Sequence, residues 1–138
     1  MSKPNTPALT ADAIILYKED NIILIRRGHP PFKGEYALPG GFVDVGETIE
    51  SACIREAKEE TNLDVKIIEL IGVFSDPNRD PRGHTVSIAY LCEPKNYKNK
   101  PKAMDDAKAV DIIPINKISS LNLAFDHKKI LKRAGFVD

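Results

Sequence analysis

The chain has no tryptophan, only two cysteines and two methionines among its 138 residues, and no excess of either charge. Each shortage excludes something. Cys53 and Cys92 lie far apart and outside any CxxC pair, so neither a disulfide framework nor a zinc site is expected. Both read as buried free thiols, Cys53 standing beside Ala52 and Ala57 at helical spacing. Twenty Lys and Arg against twenty Asp and Glu leave no overall field to draw the protein onto nucleic acid or an anionic membrane, so an anionic ligand must be held locally. No stretch approaches the roughly 20 apolar residues of a membrane span. The N-terminal MSKPNTPALT has no apolar core of signal-peptide length, which points to the cytoplasm. Internal repeats and low-complexity segments are missing too. With 42% hydrophobic and 29% charged residues, the expectation is a single domain over residues 1–138, long enough to bury one core.

What is present has a clear order. TADAIILY and IILIRR are β-branched runs joined through the turn-like KEDN, as in a hairpin. GHPPFKGEYALPGGFVDVGE is rich in Gly and Pro and has no period, so it reads as one long loop, and loops of that length in compact domains tend to be functional. From Thr48 to Thr61 the pattern is helical, with Thr48 as N-cap, Glu50 in the first turn where the helix dipole favours negative charge, and Asn62 as the left-handed terminator. DVKIIELIGVFS and HTVSIAYLCE are two longer strands joined by DPNRDPRG. The polar KNYKNKPKAMDDAK leads to a short last strand, AVDIIPI. AFDHKKILKRAG is a second helix, with Asp126 as N-cap, Phe125 and Ile130 as a hydrophobic staple and Gly135 as terminator. Few βαβ alternations among these elements imply an α/β fold in which helices flank a mixed sheet.

The segment REAKEE, residues 55–60, asks why three glutamates crowd one and a half turns. At about 100° per residue, Glu56 and Glu60 fall within roughly 20° of Ile49 on the helical wheel, Glu59 lies at the edge of that face, and Ser51, Arg55 and Lys58 point away. A solvated glutamate face would lie opposite the apolar stripe of Ala52, Cys53 and Ala57; here the acids lie inside it. Carboxylates removed from water cost several kcal/mol each unless paired, protonated or bound to metal. Arg55 and Lys58 point too far outward to neutralise Glu56 and Glu60. Clustered hard oxygen ligands of this kind suit Mg²⁺ or Mn²⁺, which keep waters and bridge to substrate phosphates.

The longer stretch GGFVDVGETIESACIREAKEETNL resembles the Nudix box: Gly, five residues, Glu, seven residues, Arg-Glu, an aliphatic residue, any residue, Glu-Glu, any residue, Gly, and an aliphatic residue. Gly41, Glu47, Arg55, Glu56, Ala57, Glu59, Glu60 and Leu63 fall on that pattern over residues 41–63, with Asn62 in place of the Gly and a small Ala57 at the aliphatic position. The resemblance implies an α/β/α sandwich with a mixed β-sheet between helices, and hydrolysis of a nucleoside diphosphate linked to another group. It implies that Glu56, Glu59 and Glu60 hold the divalent cations, with the Gly40 carbonyl as a further ligand, and that Arg55 and Glu47 brace the loop on the helix. Members of the family differ in their general base, so Glu59 and the loop acids Asp106 and Asp105 stand as alternatives. Relatives are often homodimers.

The loop SDPNRDPRGHTVS resembles that of small archaeal and bacterial ADP-ribose pyrophosphatases, which also carry LPGGF and FDH. By that likeness Arg79, Arg82 and His84 would contact the diphosphate or terminal ribose; exposed turn arginines are the alternative. Phe32 and Tyr36 would either stack on a base or anchor their loop. His127 reads first as the initial residue of a capped helix, with a catalytic group as the alternative. The expected activity is Mg²⁺-dependent hydrolysis of ADP-ribose to AMP and ribose 5-phosphate. The alternatives are another nucleotide, such as an oxidised nucleoside triphosphate or dinucleoside polyphosphate, and a non-catalytic ADP-ribose sensor. The full carboxylate set and the lack of spare length for a DNA-binding segment argue against the sensor.

Overall fold

The run Ala11–Ile15 is buried without a break, which requires cover on both faces of the strand that carries it. The computed structural model describes residues 4–104 and 107–138. Its elements in chain order are β1 (Ala8–Tyr17), β2 (Asn21–Arg27), β3 (Tyr36–Ala37), β4 (Gly40–Phe42), α1 (Ile49–Thr61), β5 (Val65–Phe74), β6 (Thr85–Pro94), β7 (Ala107–Pro114), a 3₁₀ turn at Ile115–Ser120 and α2 (His127–Arg133). Strand β1 runs parallel to β6 from Ala8 to Ile15 along one edge. Its other edge pairs antiparallel with β4 at Thr10–Asp12 and with β2 at Leu16 and Tyr17. β5 adds antiparallel to β6, and β3 and β7 to β2.

Alternation along β1 sends its side chains to two cores. Ala11, Ala13, Ile15 and Tyr17 pack with Ala52, Cys53 and Ala57 of α1. Ile14, with Ile22 and Leu24 of β2, packs with Ile118 of the 3₁₀ turn and Ile130 and Leu131 of α2. Helices on opposite faces of a mixed sheet make the α/β/α sandwich that the sequence implied. Asp12 is the one polar side chain inside the buried run.

Helix α1 begins and ends where its signals lie: Thr48 Oγ1 accepts from the Ser51 amide at 3.1 Å, and Asn62 closes the helix at φ 68° with its N–H on the Lys58 carbonyl at 3.0 Å. Cys53 and Cys92 are buried free thiols with Sγ atoms 3.8 Å apart; contact with Cys92, then burial, pushes the Cys53 thiol up.

Three expectations are corrected. The glycine-rich stretch before α1 is not one continuous loop: it contains β3 and β4, strands of two and three residues, too short for alternation to reveal. The second helix starts at His127, and Asp126 makes no side-chain cap, because its carboxylate accepts two hydrogen bonds from Arg79 instead. Phe125, at φ 55°, and Ile130 belong to different cores, so the staple does not form. Gly135, at φ 88°, does terminate the helix. The loop acids Asp106 and Asp105 lie outside the described residues.

Candidate active site

Arg55 is the hub of the acidic helix face. Its Nε donates to Glu47 at 2.7 Å, Nη2 to Glu47 at 3.0 Å and to the Phe42 carbonyl at 3.1 Å, and Nη1 to Glu56 at 2.8 Å and Glu59 at 3.1 Å. All five guanidinium donors have acceptors, so the fork locks the loop before α1 onto the helix. The hydrogen bond with Glu47 raises the Arg55 pKa and holds the Glu47 carboxyl down at about 2. One expectation fails here. A helical wheel gives only the Cα direction, and the long arginine side chain bends back to reach Glu56.

Glu60 is left without such a partner. Its Oε1 accepts from the Gly40 amide at 2.7 Å, and among the described residues it forms no ion pair. Burial, aided by the charges of Glu56 and Asp12 and opposed by the Gly40 hydrogen bond, pushes its pKa up to about 8. Burial likewise raises Glu56.

The paired glycines of LPGGF make room for carboxylates. A Cβ on Gly41 would stand 2.6 Å from the Glu56 carboxylate, and one on Gly40 would collide with Asp12 Oδ1 and the Ala11 carbonyl. Backbone and acids therefore approach as closely as glycine alone permits.

A cleft of about 310 Å³ opens over this face, lined by Glu56, Glu60, Asp44, Arg27 and His29. Arg27, Phe42 and Glu60 also line a tight cavity of about 70 Å³ that includes Asp12, Arg79, Arg82 and His127. Arg82 lies over the rings of Phe42 and Phe125, at 5.2 and 5.4 Å, while hydrogen-bonded to Asp80. Arg27 Nε donates to the Pro31 carbonyl at 2.6 Å, and the guanidinium lies 4.9 Å over Phe125. Burial and the nearby Arg82 charge lower its pKa. Two guanidinium groups that repel each other beside an acidic cleft form a place where an anion is favoured.

Other expected contacts are placed elsewhere. Arg79 lines the cavity, but its side chain is 4% exposed and is committed to Asp126 at 2.7 and 3.0 Å and to Thr85 Oγ1 at 3.1 Å. His84 is exposed and contacts the Ser75 carbonyl at 3.1 Å, away from the cavity. Tyr36 donates to Asp111 at 2.7 Å and accepts from Arg26 at 3.0 Å, which makes it an anchor for its loop. Phe32 packs edge-on against Phe125 at 5.0 Å, beside an outer cleft of about 550 Å³.

Sequence reasoning missed Arg27 and Asp12, and read His127 mainly as the start of α2, which it is. Arg27 ends a strand and carries no local signal. Asp12 had one: a lone acid in an otherwise apolar central strand is costly unless it has a partner. It accepts a hydrogen bond from the Ser87 hydroxyl, and its other oxygen faces His127 Nε2 at 3.9 Å.

Among the described residues, no three His, Cys, Asp or Glu side chains converge in metal-ligand geometry, since Glu59 is turned to Arg55. The donor chemistry nonetheless fits a hard divalent cation. Glu56 and Glu60 share one cleft, repel each other and are costly to ionise there without a positive charge.

A mixed-sheet sandwich with an acidic helix, a glycine-rich brace and arginines across one cleft defines a class of protein that handles phosphate anions. The family model described as the NUDIX domain matches residues 6–134, and the chain belongs to that family, whose hydrolases generally use divalent metal ions. It is 49% identical over 126 residues to an ADP-ribose pyrophosphatase of Methanocaldococcus jannaschii, covering 91% of this chain and 72% of that one. Among solved structures, the NUDIX domain of Shewanella oneidensis NrtR complexed with ADP ribose is similar at a TM-score of 0.84 and 26% identity, covering 95% of this chain and 88% of that one. A bifunctional NMN adenylyltransferase/ADP ribose pyrophosphatase from Francisella tularensis, complexed with AMP and a Mn ion, is similar at a TM-score of 0.79 and 33% identity. The match covers 95% of this chain, which spans 42% of that longer protein.

Proposed function

We propose that this protein is an ADP-ribose diphosphatase that hydrolyses ADP-ribose to AMP and ribose 5-phosphate with Mg²⁺ or Mn²⁺. The observation that carries the reading is the shared lining of two adjacent cavities: Glu60 and Arg27 line both, with Glu56 in one and Arg82 in the other. A diphosphate would be served by both, divalent cations that neutralise its charge and guanidinium groups that hydrogen-bond its oxygens. The 49% identity with an ADP-ribose pyrophosphatase supports the choice of ADP-ribose over other nucleotides.

Glu56 and Glu60, joined by Glu59 and the Gly40 carbonyl as in the family, would hold the cations. Cations held there would neutralise the diphosphate and lower the pKa of an attacking water. Arg55 keeps the carboxylates oriented and ties them to Glu47. Arg27 and Arg82 hold the anion in register, with Arg82 lying over the rings of Phe42 and Phe125. Glu59 or Asp106 accepts the proton of the attacking water. Phe32, at the outer cleft, offers a ring to the base. The same reading makes the enzyme cytoplasmic and a homodimer, the exposed Ile68, Leu70 and Val73 of β5 favouring self-association.

Hydrolysis of a panel of ADP-ribose, NADH, dinucleoside polyphosphates, GDP-sugars and oxidised triphosphates, with and without Mg²⁺, tests the reading. Highest efficiency on ADP-ribose with AMP as product is expected. Preference for a triphosphate would remove the substrate assignment, and binding of ADP-ribose without turnover would make the protein a sensor. Glu56→Gln and Glu60→Gln are each expected to fold and to lose turnover by orders of magnitude; near-normal hydrolysis in both purified variants would remove the metal assignment.

A further inference from the structure

Beneath the glycine-rich loop lies a chain of buried polar groups that the proposed chemistry does not use. His127, 4% exposed, stands at the start of α2 and accepts a hydrogen bond from the Leu38 amide on Nδ1 at 2.9 Å. That acceptor role places its proton on Nε2, which faces Asp12 Oδ1 at 3.9 Å. Burial lowers the His127 pKa, so the ring is the neutral acceptor the Leu38 amide requires. Asp12 is fixed from behind by the Ser87 hydroxyl on β6. Two residues past Leu38, the Gly40 amide donates to Glu60, and between them the Pro39 carbonyl accepts from the Ala13 amide at 2.8 Å. One short segment, Leu38–Gly40, is thus held from below by His127 and β1, and holds Glu60 from above.

We propose that His127, through its hydrogen bond with the Leu38 amide, is a positioning residue: it sets the height of the Leu38–Gly40 segment and thereby the place of the Glu60 carboxylate in the cation site. This rests on the reading that Glu56 and Glu60 hold the cation, but not on the identity of the nucleotide. A packing role alone would require only a side chain of similar volume. A positioning role requires an acceptor at the Nδ1 place, because an unsatisfied Leu38 amide would let the loop shift. An asparagine oxygen lies near the position of Nδ1, whereas a glutamine amide reaches the position of Nε2 and leaves Leu38 without a partner.

The test is Mn²⁺ binding to the purified full chain, followed by electron paramagnetic resonance without nucleotide, for His127→Asn, His127→Gln and His127→Leu, alongside melting temperatures and Leu38 amide exchange. His127→Gln and His127→Leu are expected to weaken Mn²⁺ binding about tenfold to a hundredfold, the usual effect of losing a group that orients a ligand. In both, Leu38 exchange should accelerate. His127→Asn should stay within about threefold of the unaltered protein, below that range, because its oxygen keeps the acceptor for Leu38. Should His127→Leu not fold, the Asn and Gln pair decides, since both are polar. Equal Mn²⁺ affinity for Asn and Gln, or losses that follow melting temperature alone, would overturn the proposal. Glu60→Gln serves as control: if it binds Mn²⁺ normally, the cation site itself has been misassigned, a failure distinct from that of His127.

Discussion

At the scale of single residues, Glu60 carries the largest electrostatic cost in the site, and the sign of that cost is testable. Its folded-state pKa of about 8 lies above the ordinary 4.5, so between those values the folded metal-free protein holds a proton that the unfolded chain has released. Stability therefore falls as pH rises through that window and levels off above it. The full effect is on the order of a few kcal/mol. In chelator, the melting temperature of the unaltered protein should drop relative to Glu60→Gln between pH 5 and pH 9, about the span of the window. Adding Mg²⁺ or Mn²⁺ should restore most of the loss at the alkaline end, because the cation stabilises the ionised form. A melting-temperature difference that stays flat across pH would mean that Glu60 ionises freely without metal.

At the scale of elements, the ion pair of Arg79 with Asp126 joins the loop between β5 and β6 to the head of α2. Both side chains are largely buried, at 4% and 12% exposure, so removing one strands the other's charge, at a cost of about 3–5 kcal/mol. Arg79→Ala should therefore lower the melting temperature by about 10 °C or more. Arg79→Lys should recover only part of this, since an ammonium cannot reproduce the two-pronged contact. A shift under about 2 °C for Arg79→Ala would mean the clamp is not structural. The same pair marks what the sequence can disclose. Helix α1 was legible end to end because Thr48, the apolar period and Asn62 are all local signals. Asp126 looked like a cap for equally local reasons, yet its partner lies 47 positions earlier in the chain, where no periodicity reaches. The acids and arginine of α1 were legible as a set. Arg27, Asp12 and His127 converge from β1, β2 and α2, and only the folded sheet brings them together.

At the scale of the whole molecule, equal numbers of acidic and basic side chains mean that attraction of an anionic substrate cannot come from a long-range field. It has to come from local charges: Arg27 and Arg82, beside the cations that the acidic cleft would hold. Local charges within a partly desolvated groove are screened less than exposed ones, but they still lose strength as salt rises past the point where the screening length falls to about 10 Å. The KM for ADP-ribose should therefore rise with NaCl in the unaltered protein. Arg82→Ala should raise KM at low salt by about tenfold, the loss of roughly one charge-assisted phosphate contact, while leaving kcat within a few fold. It should also flatten the dependence of log KM on log salt. Arg27→Ala together with Arg82→Ala should flatten it further, because both guanidinium charges that line the groove are then gone. Steady-state kinetics at three salt concentrations decides this. A double variant that keeps the full salt dependence would show that the substrate is drawn in by charges outside this groove, and the arginine pair would then lose its role in binding.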